Sequence, residues 1–151
     1  RLIDKGCKVI AADLKKENCD EAESIGVRIV GTDDILLQEC DILAPCAMGA
    51  VIDESIIPKL RCRIIAGGAN NILTDEVECE QLLLKRSILF VPDFVINCAG
   101  FLQALVERAG GTVSDAREKS SVVKDRVSEL IRHSAFTKKT LLESAMELFG
   151  A

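Results

Sequence analysis

Apolar residues come in short runs along this chain, and each run stops abruptly. VIAA at 9–12, VRIV at 27–30, the centre of CDILAPC at 40–46, CRIIAGGA at 62–69 and SILFVPD at 87–93 carry no polar alternation and end on Gly, Pro, Asp or Asn. Runs this short, apolar on both faces and bounded by turn residues, predict buried strands. The intervals predict helices. Residues 15–25 form a polar segment with widely spaced apolar positions, closed by Gly26 where a helix C-terminal glycine belongs. Thr32 is expected to cap a short helix to Gln38, 48–60 a turn with one or two helical turns, and Thr74 to cap a helix from Asp75 to about Lys85. Further on, 94–109 reads as one helix ended by GGT, 113–133 as one amphipathic helix carrying Val122, Val123, Val127, Leu130 and Ile131, and 138–149 as another.

Strand and helix thus alternate about every 20 residues, which predicts an α/β fold: a doubly wound parallel sheet covered by helices on both sides. Ligands of such sheets lie at the carboxyl ends of the strands. There this chain places its unusual residues: Asp13, APCAMG, GGANN and PDFVINCAG.

Composition narrows the class. The chain has 151 residues, 48% hydrophobic, with a formal net charge of −5. That is enough for one domain with a core. Lys and Arg are scattered among Asp and Glu, which argues against nucleic acid as a partner. No apolar run approaches the roughly 20 residues of a membrane span, and no signal-peptide order opens the chain, so cytoplasm is the expected location. Seven cysteines without a C-x-x-C pair, and a single His, suggest neither a disulfide framework nor a metal site. Cys40, Cys62 and Cys98 lie in or beside apolar runs, where a thiol acts as a small hydrophobe.

The first strand ends at Asp13 and hands over to a charged helix, as does the second strand of a dinucleotide-binding βαβ unit, whose acid accepts a ribose hydroxyl. An acidic helix cap is the plainer reading. In a dinucleotide site the acid follows a Gly-x-Gly-x-x-Gly turn by roughly 20 residues, and this sequence holds no such turn before it. Small residues at Ala44, Pro45, Cys46 and Ala47 let backbone approach a ligand or simply make a tight turn. Asn70 and Asn71 offer amide donors and acceptors, or favour a turn. Asn97, inside FVINCAGF, needs a partner once desolvated, either a ligand carboxamide or a backbone carbonyl. His133 and Lys85 are acid–base candidates by type alone, and both fall in ordinary helices.

CDILAPCAMGAVID, IIAGGANNILT and VPDFVINCAGFLQ, with AADLKKE upstream, resemble the nucleotide-binding domain of the Glu/Leu/Phe/Val dehydrogenase family, most closely its leucine, valine and phenylalanine branch. The resemblance covers residues 1 to about 110 well and the last forty loosely. It implies a truncated, Rossmann-like dinucleotide-binding domain at 1–112 that lacks the first strand and glycine-rich loop, with C-terminal helices at 113–151 packing on it or extending it. It implies NAD as cofactor, and reversible oxidative deamination of a branched-chain or aromatic L-amino acid to a 2-oxo acid and ammonium.

By the same resemblance Asp13, Ala44, Pro45, Cys46, Ala47, Asn70 and Asn97 are cofactor-binding, and Asn71, Phe101 and Ala104 substrate-binding. Ala99 and Phe101 stand where leucine dehydrogenases commonly carry Gly and Val, so a large ring enters the pocket wall. The family's catalytic lysine and aspartate belong to an amino-terminal domain. No residue here is therefore assigned as a catalytic acid or base, and the chain alone is expected to be inactive. The expected partners are that catalytic domain, an amino acid or 2-oxo acid, and further copies of the intact protein in a homo-oligomer. A non-catalytic Rossmann-like assembly module, or a dehydrogenase for another small substrate, is the alternative.

Overall fold

The computed structural model describes residues 2–150. The chain is α/β with parallel strands and forms two compact units, Arg1–Glu39 with Lys59–Arg61, and Cys40–Pro58 with Cys62–Ala151.

In the first unit a 3-10 turn, Ile3–Lys5, precedes β1 (Ile10–Ala11), α1 (Lys16–Ser24), β2 (Arg28–Ile29) and a second 3-10 turn, Ile35–Leu37. β1 and β2 run parallel, with Ile10 opposite Arg28 and Ala11 opposite Ile29. Helix α1 ends as its sequence predicts. Gly26 takes φ 91°, its N–H bonds to the Glu23 carbonyl at 2.9 Å, and the Val27 N–H bonds to that of Ala22 at 3.1 Å. That pair of bonds satisfies two otherwise orphaned carbonyls and turns the chain straight into β2. The short helix expected behind Thr32 is only a 3-10 turn. Asp34, not Thr32, precedes it, and no side-chain cap bond forms.

The second unit holds a three-stranded parallel ladder, β3 (Ile42–Leu43), β4 (Ile64–Ile65) and β5 (Leu89–Phe90), in that order. Ile42, Ile64 and Leu89 lie in register, as do Leu43, Ile65 and Phe90. An isolated parallel bridge joins Ile52 to Leu73. Helix α2 (Glu76–Lys85) is capped by Asp75, whose carboxylate accepts from the Glu78 N–H at 2.8 Å. The expected cap, Thr74, is instead drawn toward the Ile52 carbonyl and the Cys79 thiol.

The helix expected over 94–109 is two, α3 (Asp93–Ile96) and α4 (Ala99–Arg108). The break falls at Asn97, whose side chain is engaged by the loop after β4, and asparagine competes for hydrogen bonds that would continue a helix. Residues 113–133 also divide, into α5 (Val113–Ser120) and α6 (Val122–Thr137), around Ser121. Beside the break the Ser120 hydroxyl bonds back to the Ala116 carbonyl at 2.7 Å, a contact that bends helices. Lys138, at φ 62°, ends α6, and a capping box between Thr140 and Glu143 starts α7 (Leu141–Phe149).

The core follows from these elements. Val91 and Val95 pack with Leu130, Leu141 and Ala145, so that α3, α6 and α7 close over the end of β5. Ile52, Ile65, Ile72, Cys79 and Leu83 are also fully buried. Among the described residues no helix is long and apolar enough to cross a membrane.

Candidate functional site

The carboxyl ends of β3, β4 and β5 converge because glycine lets their exits meet. A Cβ on Gly67 would lie 2.1 Å from the Pro45 carbonyl oxygen and 2.6 Å from the Pro45 nitrogen. Only a residue without a side chain fits there. The Ala69 N–H then bonds to the Pro45 carbonyl at 3.0 Å. Gly49 serves the next contact in the same way, since its Cβ would lie 2.2 Å from the Asn70 carbonyl oxygen. The loops 44–50 and 66–73 are thus pressed backbone to backbone, with Pro45 buried and Ala44, Cys46 and Ala47 open to solvent.

On this floor stand the asparagines. Asn97, half-buried at the C-terminal end of α3, donates its Nδ2 to Asn70 Oδ1 at 2.6 Å and to the Ala69 carbonyl at 3.4 Å. Beyond that bond the pair carries an acceptor, Asn97 Oδ1, and a donor, Asn70 Nδ2. Asn71 is exposed and left-handed at φ 52°. Its N–H donates to Asp93 Oδ2 and its carbonyl accepts from the Ala50 N–H at 2.5 Å. Phe101 is 69% exposed and Ala104 exposed, both on α4.

Asp13 belongs to the first unit and follows β1. Its Oδ1 accepts from the Lys15 N–H at 2.8 Å and its Oδ2 from Asn18 Nδ2 at 2.9 Å. The Lys15 amide first, and the Asn18 side chain second, hold its carboxyl below the usual carboxylate range. Each oxygen keeps a lone pair for a further donor. The first unit also has an open hollow of about 680 Å³ between Lys8–Ile10, Gly26, Arg28 and Leu37–Glu39. It lies at the amino ends of β1 and β2, and its lining acid Glu39 is ion-paired with Arg61 at 2.6 Å.

Two buried acids escape the sequence reading. Asp93, 5% exposed, stands at the first position of α3. Its only signal is an acid set directly after Pro in an apolar string. Glu80, 4% exposed, accepts from the Leu142 N–H at 3.0 Å and so ties α2 to the start of α7. Its position between Cys79 and Leu83 on the buried stripe of α2 was the available clue. Lys85 is exposed, and His133 Nε2 faces Glu147 Oε2 at 3.7 Å, so neither joins the strand-end site. Among the described residues no group of His, Cys, Asp and Glu could hold a metal ion.

A parallel α/β fold whose strand-end loops meet to present paired carboxamides is the architecture of a small-ligand or cofactor-binding protein. Residues 6–145 match the family described as Glutamate/Leucine/Phenylalanine/Valine dehydrogenase, and the chain belongs to that family. It is 38% identical over 127 residues to the leucine dehydrogenase of Thermoactinomyces intermedius, a match covering 83% of this chain and 34% of that protein. It is 31% identical over 150 residues to the phenylalanine dehydrogenase of Bacillus thermotolerans, covering 95% and 39%. The crystal structure of L-tryptophan dehydrogenase from Nostoc punctiforme superposes with a TM-score of 0.86 at 30% identity, over 93% of this chain and 43% of that one. The chain therefore spans well under half the length of these relatives.

Proposed function

We propose that the whole protein is an NAD-dependent L-amino acid dehydrogenase and that this chain supplies much of its cofactor-binding side and one wall of its substrate pocket. The observation that carries this reading is the Asn97–Asn70 pair, which joins two carboxamides at the strand ends and carries a further acceptor, Asn97 Oδ1, and a further donor, Asn70 Nδ2. A nicotinamide carboxamide has the complementary donor and acceptor.

Asp13, held ionised by its own turn, is suited to accept a ribose hydroxyl. Ala44, Pro45, Cys46 and Ala47 let the backbone approach the adenosine side. Asn71, Phe101 and Ala104 face the substrate, in keeping with a branched-chain or aromatic amino acid. When bound, NAD would supply the acceptor for the hydride lost from the amino acid Cα, and hydrolysis of the resulting imine would give the 2-oxo acid and ammonium. The proton-transfer groups lie on the catalytic domain, so this chain orients and holds rather than exchanging protons. The intact protein is a cytoplasmic homo-oligomer in this reading.

The test is Asn97→Ala in the whole protein. The KM for NAD should rise and hydride transfer should slow, by up to about 100-fold if the reacting carbon is displaced by roughly 1 Å. The denaturation midpoint should barely move, because Asn70 is exposed and water replaces its lost donor. A destabilised protein with wild-type kinetic constants would make Asn97 a structural residue and remove the observation on which the proposal rests.

A further inference from the structure

We infer that Asp93 is the positioning residue of this site: its buried carboxylate holds the Asn71 main chain in the left-handed conformation from which Asn70 and Asn71 present their amides. The inference rests on the cofactor reading above. Asp93 is 5% exposed, yet no cation among the described residues pairs with it. Two main-chain amides answer its charge instead, that of Asn71 at Oδ2 and that of Phe94 at Oδ1, the latter at 2.7 Å. A carboxylate is costly to bury. Bonds to a charged acceptor are the stronger kind, and the one to Asn71 reaches across 22 residues of sequence.

What that bond fixes is a left-handed turn. Asn71 at φ 52° holds a conformation that asparagine visits more readily than most residues but that glycine alone adopts freely, and bonds at both its N–H and its carbonyl keep it there. On the opposite side, the Asn71 carbonyl is held by Ala50, itself at φ 57°, with Gly49 leaving room for the Asn70 carbonyl. The 70–71 segment is therefore clamped between the loop after β3 and Asp93. Its side chains are free of both clamps: Asn71 projects to solvent and Asn70 meets Asn97. Glu76 senses the same carboxylate, its own carboxyl being pushed up by burial first and by the Asp93 charge second.

The experiment uses the whole protein with NADH as probe, and compares Asp93→Asn, Asn70→Ala and the double variant Asp93→Asn/Asn71→Gly. In the absence of cofactor, Asp93→Asn should speed amide hydrogen exchange in peptides spanning 66–75 and leave β3 and β5 unchanged. It should also weaken NADH binding about tenfold, the scale of one lost bond to a charged group. Adding Asn71→Gly should restore most of the affinity, since glycine adopts positive φ freely.

If Asn70→Ala weakens NADH but Asp93→Asn does not, the positioning role is overturned while the cofactor reading stands. If neither does, both fall. A lowered denaturation midpoint with unchanged NADH affinity and no rescue by Asn71→Gly would make Asp93 merely structural and overturn the inference. Should Asp93→Asn fail to fold, Asp93→Ser, whose hydroxyl cannot answer both amides, carries the same expectations.

Discussion

Gly67 shows what a single residue contributes here: it is small because of what stands opposite it, not because of its backbone angles. Gly67→Ala should destabilise the protein by about 3 kcal/mol, at the upper end for overpacking, since its Cβ would meet the main chain of Pro45 rather than a side chain that can move. A chemical denaturation curve gives the number, and a loss under about 1 kcal/mol would show that the two loops separate easily. Asp13→Ala tests the proposed ribose contact in the first unit. A carboxylate here accepts a 2′-hydroxyl and repels a 2′-phosphate, so the variant should weaken NAD more than NADP in binding or KM, and an unchanged preference would count against the role. Residues of this kind were legible in part. GGANN announced a close backbone approach, and Asp13 a strand-end acid. Asp93 was not legible, because its partner lies 22 residues away and its importance comes from a turn that no local pattern specifies.

At the scale of elements, α1 and α2 close with the same pair of backbone bonds, but α1 has Gly26 in the left-handed position and α2 has Ser87, at φ 57°. Ser87→Gly should therefore stabilise the protein by roughly 1 kcal/mol, read as a raised denaturation midpoint. Glu80 makes the link between α2 and α7 depend on pH. Burial, the leading cause, pushes its carboxyl above the ordinary 4.5, although Leu142 and Thr140 bond to it. Below about that pH the group is protonated in folded and unfolded chains alike. As pH rises the unfolded chain ionises first, so stability falls until the folded group has ionised too. Glu80→Gln should remove this decline, and a variant whose stability runs parallel to wild type from pH 4 to 8 would contradict it.

The α1–β2 join could be read from Gly26 alone, because a glycine after a polar helical stretch has one common meaning. The breaks at Asn97 and Ser121 could not. Apolar spacing continues through both, and only side-chain bonds to distant or preceding carbonyls interrupt the helices.

For the whole molecule, the order of strands and helices and the dehydrogenase family were both visible in the sequence, since the parallel strands are written as short apolar runs and the strand-end loops carry long specific strings; the expected burial on both faces does not hold, for Ile42 and Leu89 are exposed. The division into two compact units was not visible: no shift of composition marks Glu39 or Cys62, and the first unit takes in Lys59–Arg61 from a later part of the chain. The relatives named above are each more than twice as long as the stretch they share with this chain, which leaves room in the whole protein for the proposed acid–base domain. The proposal is a division of labour, in which these residues hold the cofactor and the remainder of the protein moves the protons. It is tested most directly by the initial rate of NADH formation from NAD with L-leucine, L-valine, L-phenylalanine and L-tryptophan, measured side by side for the whole protein and for residues 1–151. The whole protein should turn over at least one of the four and the 151 residues alone none; NADH formation by the short chain, or none by the whole protein with any of them, would overturn this division.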